Sequence, residues 1–120
     1  MSNFARGIKA YPEPIREVAF GSITASYATF GTPLVMYGRL LFFTNSTNAD
    51  VYLSLDGVTN HFRLYAGSYK TLDIATNKVT DCEWYIGEGT QFYIKYVSAP
   101  TSGQVSIEVL GSPAVWQGNI

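Results

Sequence analysis

The feature that most constrains the fold is an alternation of apolar with polar or aromatic residues at a period of two. It occurs in residues 51–56, 62–65, 92–96 and 105–109. Because successive side chains of a β-strand point to opposite faces, each run predicts a strand with one buried and one solvated face. The continuously apolar run 40–43 instead predicts a strand that is covered on both sides. No segment of ten residues or more has a capped helical pattern.

Turn-favouring residues separate these runs at short intervals, as in STNAD, DGVTN, AGS, ATNK, GEGT and APTSG. Gly, Asn, Asp and Pro provide the backbone angles that reverse a chain. The spacing predicts seven to nine short antiparallel strands in an all-β sandwich, of jelly-roll or immunoglobulin-like type, because two sheets are needed to bury one face of every strand. The residues assigned to turns are Asn45, Asp56, Gly57, Asp73, Asn77 and Lys78.

Asp56, Gly57 and the single histidine, His61, lie close together in LSLDGVTNHFRLYAG and raise the question of a catalytic site. Asp-Gly between two alternating runs is a strong hairpin signal, which places Asp56 in a turn and His61 at the start of the return strand. Catalysis would also need a nucleophile beside His61, and Ser54 and Thr59 have the pattern of ordinary strand and turn residues. We therefore expect no enzyme, no catalytic residue, no metal and no cofactor.

The charge distribution limits the classes of partner. Charged residues make up 14% of the chain and the net charge is −1, with no basic cluster of the kind that neutralises phosphates, so we expect no nucleic-acid partner. No apolar run approaches the roughly 20 residues of a membrane span, and the first 14 residues lack the apolar centre of a signal peptide. We expect synthesis in the cytoplasm, and we expect no membrane association. We do not expect glycosylation at the Asn45-Ser46-Thr47 sequon.

The chain ends differ from the alternating centre. We expect an N-terminal arm at 1–14, a β-sandwich domain at 15–111 and a C-terminal arm at 112–120, because YPEP and GSPAVWQGNI interrupt the strand pattern. Apolar and aromatic residues on such arms need a surface to bury them, and aromatic residues are enriched at protein interfaces. The candidate interface residues are Phe4, Ile8, Tyr11, Val115, Trp116 and Ile120. Alternatively, both arms fold back on their own sandwich.

A second candidate site surrounds WYIG. Glu83 and Glu88 flank Trp84 and Tyr85, an arrangement that resembles a sugar-binding platform in which a ring stacks on the ligand and acids accept hydroxyl hydrogen bonds. The alternative is that Trp84 belongs to the core and that the two acids are solvated turn residues.

The chain resembles the small virion proteins of tailed bacteriophages that form compact β-sandwiches on the capsid or tail. The likeness is one of pattern and covers residues 16–110, in REVAFGSITASYATFGTPL, LLFFTNSTNADVYLSLDGVTNHFRLYAG, LDIATNK and GTQFYIKYVSAPTSGQVSIEVL. The turn residues match that pattern without carrying any reaction.

This resemblance implies a structural role. The chain would bind in many copies, as a capsid cement or decoration protein or as an accessory of the head-to-tail region or tail. Its partners would be a major capsid, portal or tail protein and copies of itself, and its location would be the virion. The alternative is a carbohydrate-binding or host-attachment module that uses exposed Tyr and Trp faces.

Overall fold

The computed structural model describes residues 10–74 and 86–112 and contains nine β-strands within them. The strands are β1 (Tyr11–Pro12), β2 (Arg16–Ala19), β3 (Ala28–Phe30), β4 (Tyr37–Asn45), β5 (Val51–Ser54), β6 (Phe62–Leu64), β7 (Tyr69–Asp73), β8 (Phe92–Tyr96) and β9 (Gln104–Ser112). A single 3₁₀ turn at Phe20–Ser22 is the helical structure in this part of the chain. The predicted all-β fold is confirmed.

The strands form two antiparallel sheets. The first sheet has five strands in the order β1-β9-β4-β7, with β2 also paired to β9, and the second has four strands in the order β3-β8-β5-β6. In the first sheet β2 pairs with β9 and β4 with β7, while in the second β3 pairs with β8 and β5 with β6. The four pairs are nested along the chain, with β5 and β6 innermost and β2 and β9 outermost. Such nesting is that of one long hairpin that folds over on itself. Of the two predicted sandwich types, this order matches the jelly roll.

The core lies between the two sheets. Leu41, Phe43 and Ile107 from the first sheet meet Leu53 and Phe92 from the second, and all five are at most 1% exposed. The Phe43 and Phe92 ring centroids are 6.2 Å apart with the rings nearly perpendicular, an arrangement favoured by aromatic quadrupoles. Each of these buried side chains stabilises the fold by about 1.5–3 kcal/mol relative to an exposed position.

One strand differs from its prediction. Leu41 and Phe43 of β4 are buried, whereas Leu40 is half-buried and Phe42 is 39% exposed on the outer face of the first sheet. The expectation that this apolar run is covered on both sides is therefore wrong for the described part of the chain. β4 lies between β9 and β7 in the first sheet, and the described residues form no third layer over the outer face that carries Phe42.

The N-terminal boundary also needs correction. Tyr11 and Pro12 pair with Gly111 and Leu110, and the Glu13 N–H donates to the Val109 carbonyl at 3.0 Å. Residues 11–14, assigned to an arm, therefore begin the first sheet, and β1 occupies its edge, where a proline without an N–H is tolerated. At the other end β9 continues to Ser112, so the sandwich includes that residue as well.

A buried ion pair fixes this N-terminal segment. Arg16 Nη2 lies 2.7 Å from Glu13 Oε1, and the two side chains are 3% and 1% exposed. Glu13 Oε2 accepts from the backbone N–H groups of Val35 and Met36 at 3.1 and 3.0 Å. Arg16 donates to the carbonyls of Thr32 and Pro33 through Nε and Nη2. The pair thus joins the start of the chain to the β3–β4 loop, with its hydrogen-bonding groups satisfied as burial requires.

The two ends of the sandwich differ in what they carry. At one end Tyr37, the first residue of β4, pairs with Ser112, the last residue of β9, so both terminal segments attach there. At the opposite end, here called the loop end, the β4–β5, β6–β7 and β8–β9 connections meet. Ser46 N–H donates to the Gln104 carbonyl, and Asn45 N–H donates to the Ser68 carbonyl. Within the described ranges no helix is long and apolar enough to cross a membrane.

Candidate functional site

The stretch around Asp56 is a hairpin connection stabilised by the aspartate side chain. Asp56 Oδ1 accepts from the N–H groups of Val58 and Thr59, both at 2.8 Å. These bonds, followed by one from the Ser54 hydroxyl, hold the pKa of Asp56 well below its ordinary value, because they favour the carboxylate form. Gly57 has φ of +78°, a conformation that glycine adopts without strain. The structure therefore places Asp56 and Gly57 in a turn.

His61 contacts this turn but does not face a nucleophile. Its Nδ1 accepts from the Leu55 N–H at 3.0 Å, and its Nε2 lies 3.9 Å from Asp56 Oδ2. Ser54 Oγ is fully buried and donates to Asp56 at 2.7 Å rather than to the imidazole. Serine, aspartate and histidine are thus adjacent, but their contacts close the hairpin instead of activating the hydroxyl.

Asn45, predicted from the sequence to be a turn-forming residue, is the last residue of β4 and connects two loops through its side chain. It is 1% exposed at the end of β4, and its Nδ2 lies 2.9 and 3.1 Å from the carbonyl oxygens of Ala49 and Leu64 and 3.3 Å from that of Tyr65. Its Oδ1 accepts from the N–H and hydroxyl of Thr47. One buried amide therefore connects two loops of the loop end. The same bonds withhold Nδ2 from glycosylation in the folded chain.

The remaining predicted residues are distributed as follows. Asp73 is the last residue of β7, opposite Leu40, and so lies in a strand rather than in a turn. Tyr11 is 39% exposed on the edge strand β1. Glu88 is exposed in the turn that precedes β8. The other candidates lie outside the described residues: Phe4, Ile8, Asn77, Lys78, Glu83, Trp84, Tyr85, Val115, Trp116 and Ile120.

The structure brings together a surface that sequence reasoning did not assemble. On the outer face of the second sheet, cationic and tyrosine side chains alternate in the order Tyr27, Lys95, Tyr52, Arg63, Tyr65, here called the tyrosine–cation row. The order follows from strand register, since Tyr52 of β5 lies directly opposite Lys95 of β8 on one side and Arg63 of β6 on the other. Directly opposed residues of antiparallel strands share one face of the sheet.

Cation–π contacts connect the members of the row. Lys95 Nζ lies 4.7 Å from the Tyr27 ring centroid and 5.7 Å from that of Tyr52. The Arg63 guanidinium carbon lies 5.6 Å from the Tyr52 centroid and 5.0 Å from the Tyr65 centroid. Since β8 and β6 flank β5, cations reach the Tyr52 ring from both sides, and each contact contributes about 0.5–1 kcal/mol at such partly exposed sites.

Asp50 fixes one end of the row. Its Oδ2 lies 2.7 Å from Arg63 Nη2, and its Oδ1 accepts from the Ala66 N–H at 2.8 Å. The hydrogen bond from Arg63, followed by that from Ala66, lowers the pKa of Asp50, and the same ion pair raises the pKa of Arg63. Arg63 is therefore held in place and largely neutralised by its partner.

The opposite end of the row keeps an unbalanced charge. Among the residues that the structure describes, no carboxylate lies within 4 Å of Lys95 Nζ. Tyr27 donates its hydroxyl proton to Asn60 Oδ1 in the β5–β6 connection. Partial burial raises the pKa of Tyr27, and the nearby Asp56 carboxylate adds to that rise. Lys95 thus lies between two rings without an ion-pair partner in the described part of the chain.

The exposed groups of the row define what it can bind. Cations from both neighbouring strands lie over the Tyr52 ring. Tyr65 is 60% exposed with one cation over its ring, so much of this ring is accessible for stacking. The sequence signal was the presence of Tyr52, Arg63 and Lys95 at solvated positions of three alternating runs. Their order could not be read without the register between strands.

Comparisons with known proteins add no relationship. No family model matches the chain, and neither the curated proteins nor the solved structures contain a significant match. Within the described ranges, no group of three or more His, Cys, Asp or Glu side chains is placed to hold a metal ion.

Proposed function

We propose that the chain is a structural subunit of a tailed bacteriophage virion, where it binds in many copies to the capsid or to the head-to-tail region or tail. The pattern resemblance over residues 16–110 supports this role. The jelly-roll order of the strands supports it by fold-level analogy, because this architecture is common among viral capsid domains. The proposal assigns the chain no reaction and no cofactor.

The observation that supports this proposal most directly is the pairing of Tyr11 with Gly111. It places the attachment points of the N-terminal and C-terminal segments side by side at one corner of the first sheet, on the edge strand β1 and on its neighbour β9. Two terminal segments that carry apolar and aromatic residues and attach at one corner can both reach the same neighbouring subunit. Linked contacts of this kind raise the overall affinity far above that of either alone, and repetition over many copies stabilises an assembly.

The composition of purified particles tests the proposal. Mass spectrometry of gradient-purified particles of the phage that encodes this chain should detect it at many copies per particle, alongside the capsid and tail proteins. Its presence in the infected-cell lysate together with its absence from the purified particles would contradict the structural role.

A second candidate function is a carbohydrate-binding or host-attachment module. The tyrosine–cation row favours it, because aromatic rings with adjacent charged groups are typical of sites that fix the orientation of a ligand. Lectin domains also use the jelly-roll architecture. A glycan array probed with the purified chain tests this function independently of particle composition, and uniform background signal would contradict it.

A further inference from the structure

We infer that the tyrosine–cation row binds an acidic oligosaccharide, with a sugar ring stacked on Tyr65 and a carboxylate held by Lys95. This inference rests on the second candidate function, a carbohydrate-binding module, and names its ligand class. It does not depend on whether the chain is part of a virion.

The stacking step uses the open face of Tyr65. The ring is 60% exposed, and the Arg63 guanidinium lies 5.0 Å from its centroid on one side. Asp50 holds that guanidinium through a 2.7 Å ion pair, so the ring and its cation form a supported platform. The apolar face of a pyranose ring can stack on the free side of an aromatic ring, while the exposed edge of Asp50 accepts hydroxyl hydrogen bonds.

The anion-binding step uses Lys95 and the Tyr52 hydroxyl. No carboxylate among the described residues lies within 4 Å of Lys95 Nζ, so no ion pair among them competes with a ligand for the ammonium. The Tyr52 hydroxyl oxygen accepts a long contact of 3.5 Å from Arg63 Nη1, which leaves its O–H free to donate. An ammonium and a hydroxyl on the same side of the sheet can converge on one carboxylate through charge-assisted hydrogen bonds.

The dimensions of the row favour an oligosaccharide over a single sugar. Lys95 belongs to β8 and Arg63 to β6, with β5 between them, so two strand spacings separate the anion-binding end from the stacking end. Two spacings amount to roughly 10 Å. A ligand that uses both ends must therefore be longer than one sugar ring.

The charge of the row favours an acidic ligand over a neutral one. Asp50 pairs with Arg63, whereas Lys95 has no ion-pair partner among the described residues, so the Lys95 end can take an anionic group. All five side chains of the row carry polar tips, so the surface offers the hydroxyl and charge contacts that suit a ligand rich in hydroxyl groups. An acidic peptide is the competing occupant, and the test includes it.

The test measures binding of a panel of uronic-acid and sialic-acid oligosaccharides, each paired with its carboxyl-reduced form. We expect binding to at least one acidic member and about tenfold or weaker binding to its reduced partner. Lys95→Gln should reduce binding of the acidic member to the level of the reduced one, and Tyr65→Ala should abolish binding of both. Matched controls are Lys70→Gln and Tyr69→Ala, which alter an exposed lysine and an exposed tyrosine on β7 of the other sheet.

Each other outcome overturns the inference. Equal binding of acidic and reduced oligosaccharides would refute the acidic class while the carbohydrate-binding function stands. No binding to any acidic member of the panel would refute the inference, and the glycan array then decides whether the carbohydrate-binding function stands. Tighter binding of an acidic peptide than of every saccharide would refute the inference together with that function. Equal losses of affinity for the acidic oligosaccharide in Lys70→Gln and Lys95→Gln would show that the net charge of the chain, and not the row, causes binding. Unchanged melting temperatures of the four variants ensure that the comparison reports binding.

Discussion

Asn45 is the residue on which the loop end most depends, because one buried amide joins the carbonyls of Ala49, Leu64 and Tyr65. Asn45→Asp keeps the shape of the side chain but directs a carboxylate oxygen at these three carbonyl oxygens. A buried carboxylate with one oxygen facing only acceptors is strongly destabilising, so we expect a loss of about 3 kcal/mol or more in the free energy of unfolding, measured by urea denaturation.

Asn48→Asp is the matched control in the same loop. Asn48 is exposed, and its Oδ1 accepts from the Thr101 N–H at 2.9 Å, a bond that aspartate retains. In the native chain Asn48 Nδ2 donates to the Thr101 hydroxyl. In the variant, the second aspartate oxygen can accept a hydrogen bond from that same hydroxyl. We expect a change within about 0.5 kcal/mol, the usual range for surface substitutions. Equal losses in the two variants would refute the role assigned to the buried amide.

Asp56 gives a prediction about pH. Its pKa is lowered in the folded state by bonds from Thr59 and Val58, while the unfolded value is about 3.9. A lowered folded pKa contributes stability above the unfolded value, and this contribution is lost as the pH falls through the folded pKa. The wild-type free energy of unfolding should therefore decrease below about pH 4. Asp56→Asn should show a shallower decrease, and parallel acid profiles would contradict the assignment.

At the scale of elements, the edge formed by β1 and β2 depends on the buried pair of Glu13 and Arg16. Glu13→Gln leaves the Arg16 charge buried without a countercharge, which should cost about 3–5 kcal/mol of unfolding free energy. Glu17→Gln is the matched control, since Glu17 is exposed on the same strand as Arg16 and accepts a bond from the exposed Gln104. We expect that control to change stability by less than about 0.5 kcal/mol in urea denaturation. Glu13→Gln behaving like Glu17→Gln would refute the role of the pair.

The elements also show how far sequence reasoning reached. Alternation predicted β5, β8 and β9 because these strands have one buried and one solvated face, and a local pattern of that kind is visible in a single segment. The same reasoning failed for residues 11–14, where two prolines suggested an arm. Pairing with β9 and the contact of Glu13 with Val35 join residues more than 20 positions apart, and no local pattern encodes such contacts.

The tyrosine–cation row could not be predicted from the sequence for the same reason. Tyr52, Arg63 and Lys95 were each placed on a solvated strand face, but a shift of one residue in register would have moved any of them to the opposite face. The tyrosine–cation row exists because Tyr52 of β5 is the register partner of both Arg63 of β6 and Lys95 of β8. Register depends on the packing of the whole sandwich.

For the whole molecule, the points where the terminal segments join the sandwich and the tyrosine–cation row lie on different sheets. The segments attach at β1 and at the end of β9 on the first sheet, whereas the row occupies the outer face of the second. The proposed attachment to a particle and the inferred saccharide site therefore use different sheets of the sandwich. The proposed structural role and the inferred saccharide site are compatible in one molecule.

The last prediction concerns the terminal segments. A variant that lacks residues 1–9 and 113–120 retains all nine strands and the Glu13–Arg16 pair, so it should fold with cooperative unfolding and a β-type circular dichroism spectrum. Its incorporation into particles should be strongly reduced. Removal of residues 1–14 instead should destabilise the fold, because it also deletes Glu13.

Trp116→Ala separates an intersubunit anchor from a contact within the chain. Truncating an aromatic anchor at an interface costs about 2 kcal/mol or more, roughly a thirtyfold loss of affinity. If Trp116 binds a neighbouring subunit, the variant should keep its melting temperature while its copy number in purified particles decreases. A markedly lower melting temperature of the isolated subunit would show that the tryptophan packs on its own sandwich, and the interface would then have to lie on the sheet faces, where the outer face of the first sheet exposes Phe42.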